Sequence, residues 1–342
     1  MIDSTYPVAL VGASGYTGTE ALRLLLQHPN IQLKMLCAGR QAGKDISEIT
    51  PSFTGLDLPR MVSFDPDRVA EVAEYAFLGL PHGTAQPATA ALLERGVKVI
   101  DLSADHRFEN AEFYGRIYAP HSHPASLDET VYGLPELNRE RIRHTRLVGC
   151  PGCYPTSVIL AAHPAWAAEI IDSKQIIADS KSGVSGAGRT ASAGTHFPET
   201  SDGLHAYKTL KHRHAPEMSA QLGGLGVRFV PHLVPMIRGI LSTVYIPLTP
   251  GIGETDVRSI YEDAYGSEPF VTVLAPGLHP DPRHVRGTNR CHIGLFVDDD
   301  LLVVQSAIDN LCKGSSGQAI QCFNLMAGLH ETTGLTATAV FP

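Results

Sequence analysis

The chain has 342 residues, of which 43% are hydrophobic and 18% are charged, and its formal net charge is −8. This composition excludes an intrinsically disordered chain, and the length suits two domains of ordinary size. The acidic balance excludes a general basic surface for nucleic acid.

The first 150 residues predict alternating strands and helices, which are typical of a doubly wound parallel sheet. Strands are predicted at 8–11, 31–37, 75–80 and 97–101, a glycine turn at 12–18, and helices over 20–27 and 84–95.

The pattern changes after about residue 150, where short β-type runs alternate with a segment rich in Gly, Ser and His at 180–195. Helices are predicted over 304–312 and 318–329, the last packing on the first domain. We therefore expect an α/β protein: a Rossmann-type doubly wound domain (1–150 plus 310–342) with an inserted α+β domain that has a mixed sheet (151–309). The β-type runs are 227–230, 241–247, 270–274 and 291–297.

The N-terminus and the cysteine content indicate a cytoplasmic protein. Residues 1–7 carry neither the basic start nor the apolar run of a signal peptide. The longest nearly apolar stretch, 158–168, is interrupted by His163 and Pro164, and a membrane-spanning helix needs roughly 20 residues. Six cysteines in a chain of this length do not form a disulfide framework.

Three glycines spaced G-x-x-G-x-x-G follow the first strand and open the first helix. In that context a glycine turn lets backbone amides approach a pyrophosphate, and the helix N-terminus favours its negative charge. A plain strand–helix turn is the alternative. The predicted cofactor contacts in this turn are Gly12, Ser14, Gly15, Tyr16, Thr17 and Gly18.

The end of the second strand indicates which dinucleotide binds. NAD-binding folds usually place an acidic residue there, whereas the run here is C-A-G-R-Q at 37–41, with no Asp or Glu before Asp45. Arg40 can pair with a 2′-phosphate, so we expect NADP. The alternative for Arg40 is a solvated surface residue.

Cys153 stands in G-C-P-G-C-Y-P-T-S at 149–157, and Pro155 suits the first turn of a helix. A helix N-terminus favours the thiolate, which is only a small fraction of a free cysteine with a pKa of about 8.5 at neutral pH. The motif therefore predicts an activated nucleophile. Cys150 and Cys153 also form C-x-x-C, so a redox pair or half a zinc site is the alternative. The chain has no second C-x-x-C, and we predict no metal site.

The densest polar cluster is H-R-H-A-P-E at 212–217. A nucleophilic cysteine needs a nearby base, and histidine is the usual one. We expect one of the two histidines to be catalytic, His214 before His212, with a structural histidine as the alternative. Arg213 and Glu217 are predicted to line a pocket for an anionic substrate.

Two further segments predict ligand contacts. In the glycine- and serine-rich loop 182–189, the amides of Ser182 and Gly183 are candidates to line the nicotinamide or a phosphate. D-L-S-A-D-H-R at 101–107 follows the carboxyl end of a strand, where open α/β sheets bind ligands. Ser103 and Arg107 are therefore predicted to contact phosphate, and a surface ion pair of Asp105 with Arg107 is the alternative.

Taken together, the motifs resemble those of the N-acetyl-γ-glutamyl-phosphate reductase family, which is related to aspartate-semialdehyde dehydrogenase. The resemblance covers essentially the whole chain in order. The matching motifs are G-A-S-G-Y-T-G at 12–18, L-P-H-G at 80–83, D-L-S-A-D-H-R at 101–107, Y-G-L-P-E at 132–136, P-G-C-Y-P-T at 151–156, S-G-V-S-G-A-G-R at 182–189, H-R-H-A-P-E at 212–217, P-H-L-V-P-M-I-R-G-I at 231–240 and D-N-L-C-K-G-S-S-G-Q-A at 309–319.

The resemblance implies NADPH-dependent reduction of N-acetyl-γ-glutamyl phosphate to N-acetylglutamate 5-semialdehyde, a step of arginine biosynthesis, through a thioester on Cys153. It implies a catalytic role for the His212/His214 pair, a cofactor contact at Asn310, and a homodimer or homotetramer. Arg107, Arg213 and Arg238 are candidates to bind the carboxylate and the phosphate of the substrate.

One position departs from the family, which commonly has Asn where this chain has Cys150. A disulfide between Cys150 and Cys153 that makes activity sensitive to oxidation is therefore a hypothesis.

The sequence leaves two other functions open. One is a related reductase acting on aspartyl phosphate or on carrier-linked aminoadipyl phosphate. The H-R-H-A-P-E cluster points away from the aspartyl enzyme, and the net charge of −8 does not favour docking of an acidic carrier. The other is a non-catalytic NADP-binding sensor, which would leave Cys153 and the histidines without a role.

Overall fold

The computed structural model describes residues 5–340, which divide into two compact units. The first unit runs to Pro151 and includes Ser315–Thr336; the second consists of Gly152–Gly314 and the described residues from Ala337 onward. Two segments that were predicted to belong to the first domain group with the second unit: 310–314, which continue directly from its sheet, and the described residues from Ala337 onward. Pro151, predicted to begin the second domain, belongs to the first unit. No helix within 5–340 has the length and apolar character required to cross a membrane.

The first unit is built on six parallel strands in the order β2-β1-β3-β4-β6-β5, which confirms the predicted doubly wound sheet. The strands are β1 (Tyr6–Val11), β2 (Ile31–Cys37), β3 (Tyr75–Leu78), β4 (Lys98–Asp101), β5 (Thr130–Tyr132) and β6 (Leu147–Gly149). The helices of this unit are α1 (Tyr16–Leu25), α2 (Pro66–Val72), α3 (Ala85–Glu94), α4 (Ala111–Ile117), α5 (Pro135–His144) and, near the end of the chain, α10 (Gly317–Met326).

The order of these strands positions a ligand site. The chain winds outward in both directions from β1 and β3, so the switch point of the sheet lies between their carboxyl ends. The glycine turn follows β1 directly at that point. The helix after it begins at Tyr16 rather than at the predicted residue 20, so Gly18 lies inside the first turn of α1.

The second unit contains a mixed sheet of seven strands in the order β11-β12-β13-β10-β7-β9-β8. The strands are β7 (Gln175–Gly183), β8 (His205–Ala206), β9 (Gly226–Val234), β10 (Ile240–Pro247), β11 (Val271–Val273), β12 (Cys291–Asp298) and β13 (Leu301–Ile308). The helices of this unit are α6 (Cys153–Ala167), α7 (Phe197–Thr200), α8 (His214–Gln221) and α9 (Glu254–Tyr265).

The predicted helix over 304–312 is wrong, since most of that segment forms β13. Leu301–Ile308 pairs antiparallel with β10 on one side and with β12 on the other. Its side chains alternate between buried and partly exposed over most of its length, as in a strand with one covered face. The apolar residues of 304–312 also fit a helical period, and for this reason a helix was predicted there. A single π-helical turn, Cys312–Ser316, then leads into α10.

Candidate active site

Cys153 is the first residue of α6, as predicted, and Gly152 is the N-cap. The first turn of this helix carries no acidic side chain, so its amides and dipole favour an anion at Cys153. Cys153 is partly exposed whereas Cys150 is buried, and all six cysteines are free thiols. The disulfide hypothesis therefore remains a prediction about the oxidised protein.

Glu217, in the first turn of α8, holds the start of α6. Its Oε1 accepts the N–H of Gly152 at 2.8 Å, and the side chain is fully buried. From the sequence, Glu217 is expected to line a substrate pocket. The structure instead places its carboxylate inside the second unit, where it links the helix that carries Cys153 to the helix that begins with His214.

The structure brings the two histidines of the cluster together beside α6. Their ring centroids are 4.6 Å apart, and both rings stand edge-on to Tyr154, the residue after Cys153. His214 is the first residue of α8, and Arg213 is its N-cap. Arg213 is exposed between two buried histidines, so it is the charged residue of this cluster that a ligand can reach.

His212 differs from His214 in its hydrogen bonding and ionisation. Its Nδ1 accepts the backbone N–H of His214 at 3.1 Å. Burial, with the positive charges of Lys208 and Arg213, lowers the pKa of His212 to about 4. His212 is therefore neutral near pH 7, with its proton on Nε2. In that state it can donate a hydrogen bond but accepts a proton poorly, which favours His214 as the proton acceptor.

Tyr207 is a polar group of this cluster that the sequence analysis missed. Its hydroxyl donates to the hydroxyl of Tyr154 at 3.2 Å, and Tyr154 donates to the carbonyl of His232 at 3.1 Å. Burial raises the pKa of Tyr207 to about 12, and a thiolate at Cys153 raises it further, so Tyr207 is a neutral hydrogen-bond donor in this cluster. No spacing or motif distinguishes this tyrosine from the other ten in the chain.

In the first unit, the glycine turn has the shape that a dinucleotide requires. Gly12 has φ of +90°, and a Cβ there would lie 2.3 Å from the carbonyl oxygen of Gly79. A Cβ at Gly18 would lie 2.1 Å from the carbonyl oxygen of Gly12. The first turn of α1 carries no acidic side chain that would compete with a bound phosphate. These residues therefore fit a pyrophosphate at the helix N-terminus.

The remaining predicted contacts of the turn are accessible. Ser14, Gly15 and Thr17 are partly exposed, and Tyr16 is exposed. Arg40 is also exposed, three residues after β2 ends. These positions suit a dinucleotide that runs from the turn towards the end of β2.

The predicted phosphate contacts after β4 are buried. Ser103 is 2% exposed; its hydroxyl donates to Asp101 Oδ2 at 2.8 Å and accepts the N–H of Asp105 at 3.0 Å. Arg107 donates from Nε to the carbonyl of Cys150 at 2.8 Å. Asp105 is fully buried, so the alternative of a surface ion pair is wrong. This turn supports the loop that precedes α6 rather than presenting a hydroxyl to a ligand.

Amides at the start of the loop 182–189 are engaged by the segment 236–239. Ser182 and Gly183 are the last residues of β7, and the Ser182 hydroxyl donates to the Gly183 carbonyl at 3.0 Å. Amides of this loop were predicted to bind a ligand. Three of them, from Gly183 to Ser185, donate to backbone carbonyls instead. The bonds run from Gly183 N–H to Gly239 (2.9 Å), from Val184 N–H to Met236 (2.9 Å) and from Ser185 N–H to Ile237 (3.2 Å).

Asn310 fastens the same two segments. Its side-chain carbonyl accepts the N–H of Gly239 at 2.7 Å, and its Nδ2 donates to the hydroxyl of Ser185 at 3.0 Å. Arg238 is paired with the buried carboxylate of Asp309 at 3.0 Å. Both residues, predicted as ligand contacts, hold the loop in place in this structure.

Within residues 5–340, no three His, Cys, Asp or Glu side chains group as metal ligands do. The second unit presents a cysteine at a helix N-terminus beside a histidine pair, and the first unit presents a dinucleotide turn. Together these define a class, the nicotinamide-dependent oxidoreductases that use a cysteine nucleophile.

Comparison with known proteins agrees with this class. Residues 7–145 match the family model described as semialdehyde dehydrogenase, NAD binding domain, and residues 153–310 match semialdehyde dehydrogenase, dimerisation domain. The solved aspartate semialdehyde dehydrogenase II from Vibrio cholerae superposes with a TM-score of 0.73 at 18% identity, covering 95% of this chain and 99% of that one. Aspartate semialdehyde dehydrogenase with NADP from Candida albicans gives 0.72 at 17% identity, over the same shares of each chain.

Sequence relatives are more specific. The N-acetyl-gamma-glutamyl-phosphate reductases of Geobacter metallireducens and Geobacter sulfurreducens are each 46% identical over 98% of this chain and 99% of their own length. That of Pseudomonas aeruginosa is 44% identical over the same shares. The chain belongs to the N-acetyl-γ-glutamyl-phosphate reductase family, within the semialdehyde dehydrogenases. This confirms the resemblance, the enzyme class and the nicotinamide cofactor inferred from the sequence.

Proposed function

We propose that the chain reduces N-acetyl-γ-glutamyl phosphate to N-acetylglutamate 5-semialdehyde with NADPH, releasing phosphate. The placement of Cys153 at the start of α6, beside the histidine pair, carries this proposal. The relatives named for this reaction match along almost the whole chain, with the cysteine and the histidines inside the matched region.

The chemistry begins with Cys153 as a thiolate. Its sulfur attacks the γ-carbonyl carbon, a C–S bond forms, the bond from that carbon to the phosphate oxygen breaks, and phosphate leaves. A bound reduced nicotinamide supplies the hydride that reduces the thioester carbonyl. The C–S bond then breaks as the aldehyde carbonyl forms, which returns the sulfur as thiolate. Cysteine suits this sequence because a thioester accepts hydride more readily than an oxygen ester.

His214 takes the thiol proton before Cys153 attacks, which gives the thiolate, and passes this proton to the oxygen of the departing phosphate. A proton from solvent then restores the cysteine and histidine for the next turnover. The amides at the start of α6 stabilise the oxyanion that develops on the carbonyl oxygen. The exposed guanidinium of Arg213 binds a carboxylate or phosphate oxygen of the substrate. His212 is neutral and protonated on Nε2, and it accepts the backbone N–H of His214. It therefore orients His214 and does not itself exchange a proton.

The cofactor is NADP rather than NAD in this proposal. The turn 12–18 holds the pyrophosphate, and the exposed Arg40 pairs with the 2′-phosphate at the end of β2. The adjacent acidic residue, Asp45, is bound by Arg60 at 3.1 Å. Free cysteines throughout suit the reducing cytoplasm, where we place the protein.

The second unit also supports a homo-oligomer. One face of its sheet is an apolar row that no residue of 5–340 fully covers, with Ile177 49% and Tyr245 36% exposed. The residues of this row are cross-strand neighbours: Ile177, Tyr245, Val303 and Phe296, on β7, β10, β13 and β12. A row of this kind on a sheet is typical of an interface, and the matching family model is described as a dimerisation domain.

The test runs the reaction in reverse, with N-acetylglutamate 5-semialdehyde, NADP and inorganic phosphate, and follows absorbance of the reduced cofactor. We expect reduction that requires phosphate, and none with Cys153→Ser, whose NADP affinity should equal that of the wild type. Activity on aspartate semialdehyde but not on the acetylated substrate would overturn the substrate. Turnover without phosphate, or by Cys153→Ser, would overturn the mechanism.

A further inference from the structure

Gly314 lies against the nucleophile. A Cβ at this position would be 2.9 Å from the Cβ of Cys153, 3.2 Å from its Cα and 3.2 Å from Cδ1 of Ile308. Gly314 does not have a left-handed backbone, so its φ would tolerate a side chain. Glycine is required here by the lack of space, because any side chain would displace either Cys153 or the turn that contains Gly314.

That turn is firmly anchored. Gly314 lies in the π-helical turn Cys312–Ser316, and its N–H donates to the backbone carbonyl of Asp309 at 2.9 Å. The Asp309 carboxylate is fully buried and gathers donors from three parts of the second unit. These are the amides of Leu311 (2.8 Å), Cys312 (3.0 Å) and Gly287 (2.6 Å) and the guanidinium of Arg238 (3.0 Å).

Cys153 is held independently of that turn. Glu217 binds the N–H of Gly152, and Tyr154 is fixed through its hydroxyl to the carbonyl of His232. The residues on either side of the nucleophile are therefore tethered, so any shift of Cys153 away from a new side chain strains these bonds.

We propose that Gly314 is a positioning residue: its missing side chain lets the Cys153 sulfur stand where the amides of α6 stabilise the thiolate. This proposal rests on the proposed role of Cys153 as nucleophile. Asp309 keeps Gly314 in place, so the buried carboxylate acts on the reaction through the glycine rather than through the substrate.

The experiment compares Gly314→Ala with Gly294→Ala. Gly294 is a buried glycine on β12 of the same unit, where a Cβ would lie 2.9 Å from Cδ of Pro280 and 3.0 Å from the carbonyl of Leu278. Both variants introduce a comparable clash, but only the first is next to Cys153. We expect kcat to fall about 100-fold in Gly314→Ala, as for an angstrom-scale misplacement of a reacting group, with the NADP dissociation constant unchanged. Gly294→Ala should keep its kcat within about threefold of the wild type.

A second measurement follows alkylation of Cys153 by iodoacetamide against pH, without substrate or cofactor. In Gly314→Ala the midpoint should move to higher pH, because a displaced sulfur loses the helix amides. A merely structural role would lower stability without moving this midpoint. The proposal is overturned if kcat and midpoint stay at wild-type values, or if Gly294→Ala loses kcat equally.

If Gly314→Ala does not fold, Asp309→Asn tests the positioning role of Gly314 instead. This variant keeps the glycine and the shape of the anchor but removes its charge, and the midpoint should move in the same direction. An unchanged midpoint in folded Asp309→Asn would sink the proposal. Failure of the proposed function has different signatures: Cys153→Ser would remain active if Cys153 were not the nucleophile, and the wild type itself would be inactive on the acetylated substrate if the substrate were wrong.

Discussion

At the residue scale, the two histidines of the motif at 212–217 differ in hydrogen bonding and ionisation. They are two positions apart in the sequence, yet His214 begins α8 whereas His212 accepts the His214 N–H and is held neutral. The difference comes from the packing around His212, where Tyr154, Tyr207 and Phe229 surround the ring.

The first prediction separates the two histidines. His214→Asn should lower kcat by about 100-fold or more, because general base catalysis contributes at least that much. His212→Asn should retain most of the activity, since the Asn carbonyl can still accept the N–H of His214. The measurement is kcat in the phosphate-dependent assay. A larger loss in His212→Asn than in His214→Asn would reverse the assignment.

The second prediction concerns pH and stability. Because the pKa of His212 is about 4 when folded and 6.5 ordinarily, the unfolded chain takes up a proton first as pH falls through 6.5. The free energy of unfolding should therefore decrease from pH 6.5 towards pH 4, by at most about 1.4 kcal/mol per pH unit from this group. Urea unfolding at pH 7 and pH 5 should show a smaller decrease in His212→Asn. Equal decreases would contradict the burial argument.

The third prediction concerns cofactor choice. Arg40→Glu should weaken NADP binding by about 10- to 100-fold, the effect of losing a charge-assisted hydrogen bond, and should leave NAD binding nearly unchanged. Arg60→Glu is the matched control, because Arg60 is also exposed and near this end of β2 but is bound to Asp45. Calorimetric titration with both cofactors measures the change. Equal weakening by the two variants would mean a general charge effect.

At the scale of elements, a hydrogen bond links the first turn of α8 to the N-cap of α6, next to the nucleophile. Glu217 of α8 accepts the backbone N–H that precedes Cys153, so the helix that presents the base also fixes the helix that presents the sulfur. The same carboxylate is buried, which makes the bond costly to break.

The fourth prediction follows from that bond. Glu217→Ala should lower the free energy of unfolding by about 1–3 kcal/mol, because it leaves the buried N–H of Gly152 without its acceptor, and kcat should fall with it. Glu217→Gln keeps an acceptor oxygen and should lose less of both. Denaturant unfolding and kcat are measured side by side. If Glu217→Gln is as damaging as Glu217→Ala, the charge rather than the hydrogen bond is what matters.

At the scale of the whole molecule, the second unit has a sheet with one face covered by helices and one face exposed. Alternate residues show the division: Ala178, Val244 and Val304 are fully buried, whereas their neighbours Ile177, Tyr245 and Val303 are not. An apolar row on the less covered face favours association of copies of the chain.

The fifth prediction tests this face. The double variant Ile177→Asp, Tyr245→Asp should lower the mass measured by light scattering towards that of a single chain, because charge on an apolar interface opposes association. Leu56→Asp, at an exposed apolar residue of the first unit, is the control and should leave the mass unchanged. An unchanged mass in the double variant would place the interface elsewhere.

The sequence by itself determined the parts whose chemistry is local. The glycine turn is recognisable because Gly12 and Gly18 meet constraints set within a few residues of chain, apart from the approach of Gly79. Cys153 is recognisable because a helix begins at it and Pro155 marks the first turn. Four of the six strands of the first sheet are equally clear, since buried parallel strands are short apolar runs, whereas β5 and β6, of three residues each, were not predicted.

Only the tertiary structure decided how the other polar residues are used. Glu217 and Gly152 are 65 positions apart, and Arg238 and Asp309 are 71 apart, so no local pattern shows that these side chains are committed to the fold. The strand β13 is a similar case, because its apolar residues fit a helix until β10 and β12 pair with it. Motifs reveal which residue types are present, whereas hydrogen-bond partners distant along the chain determine which of them remain available for chemistry.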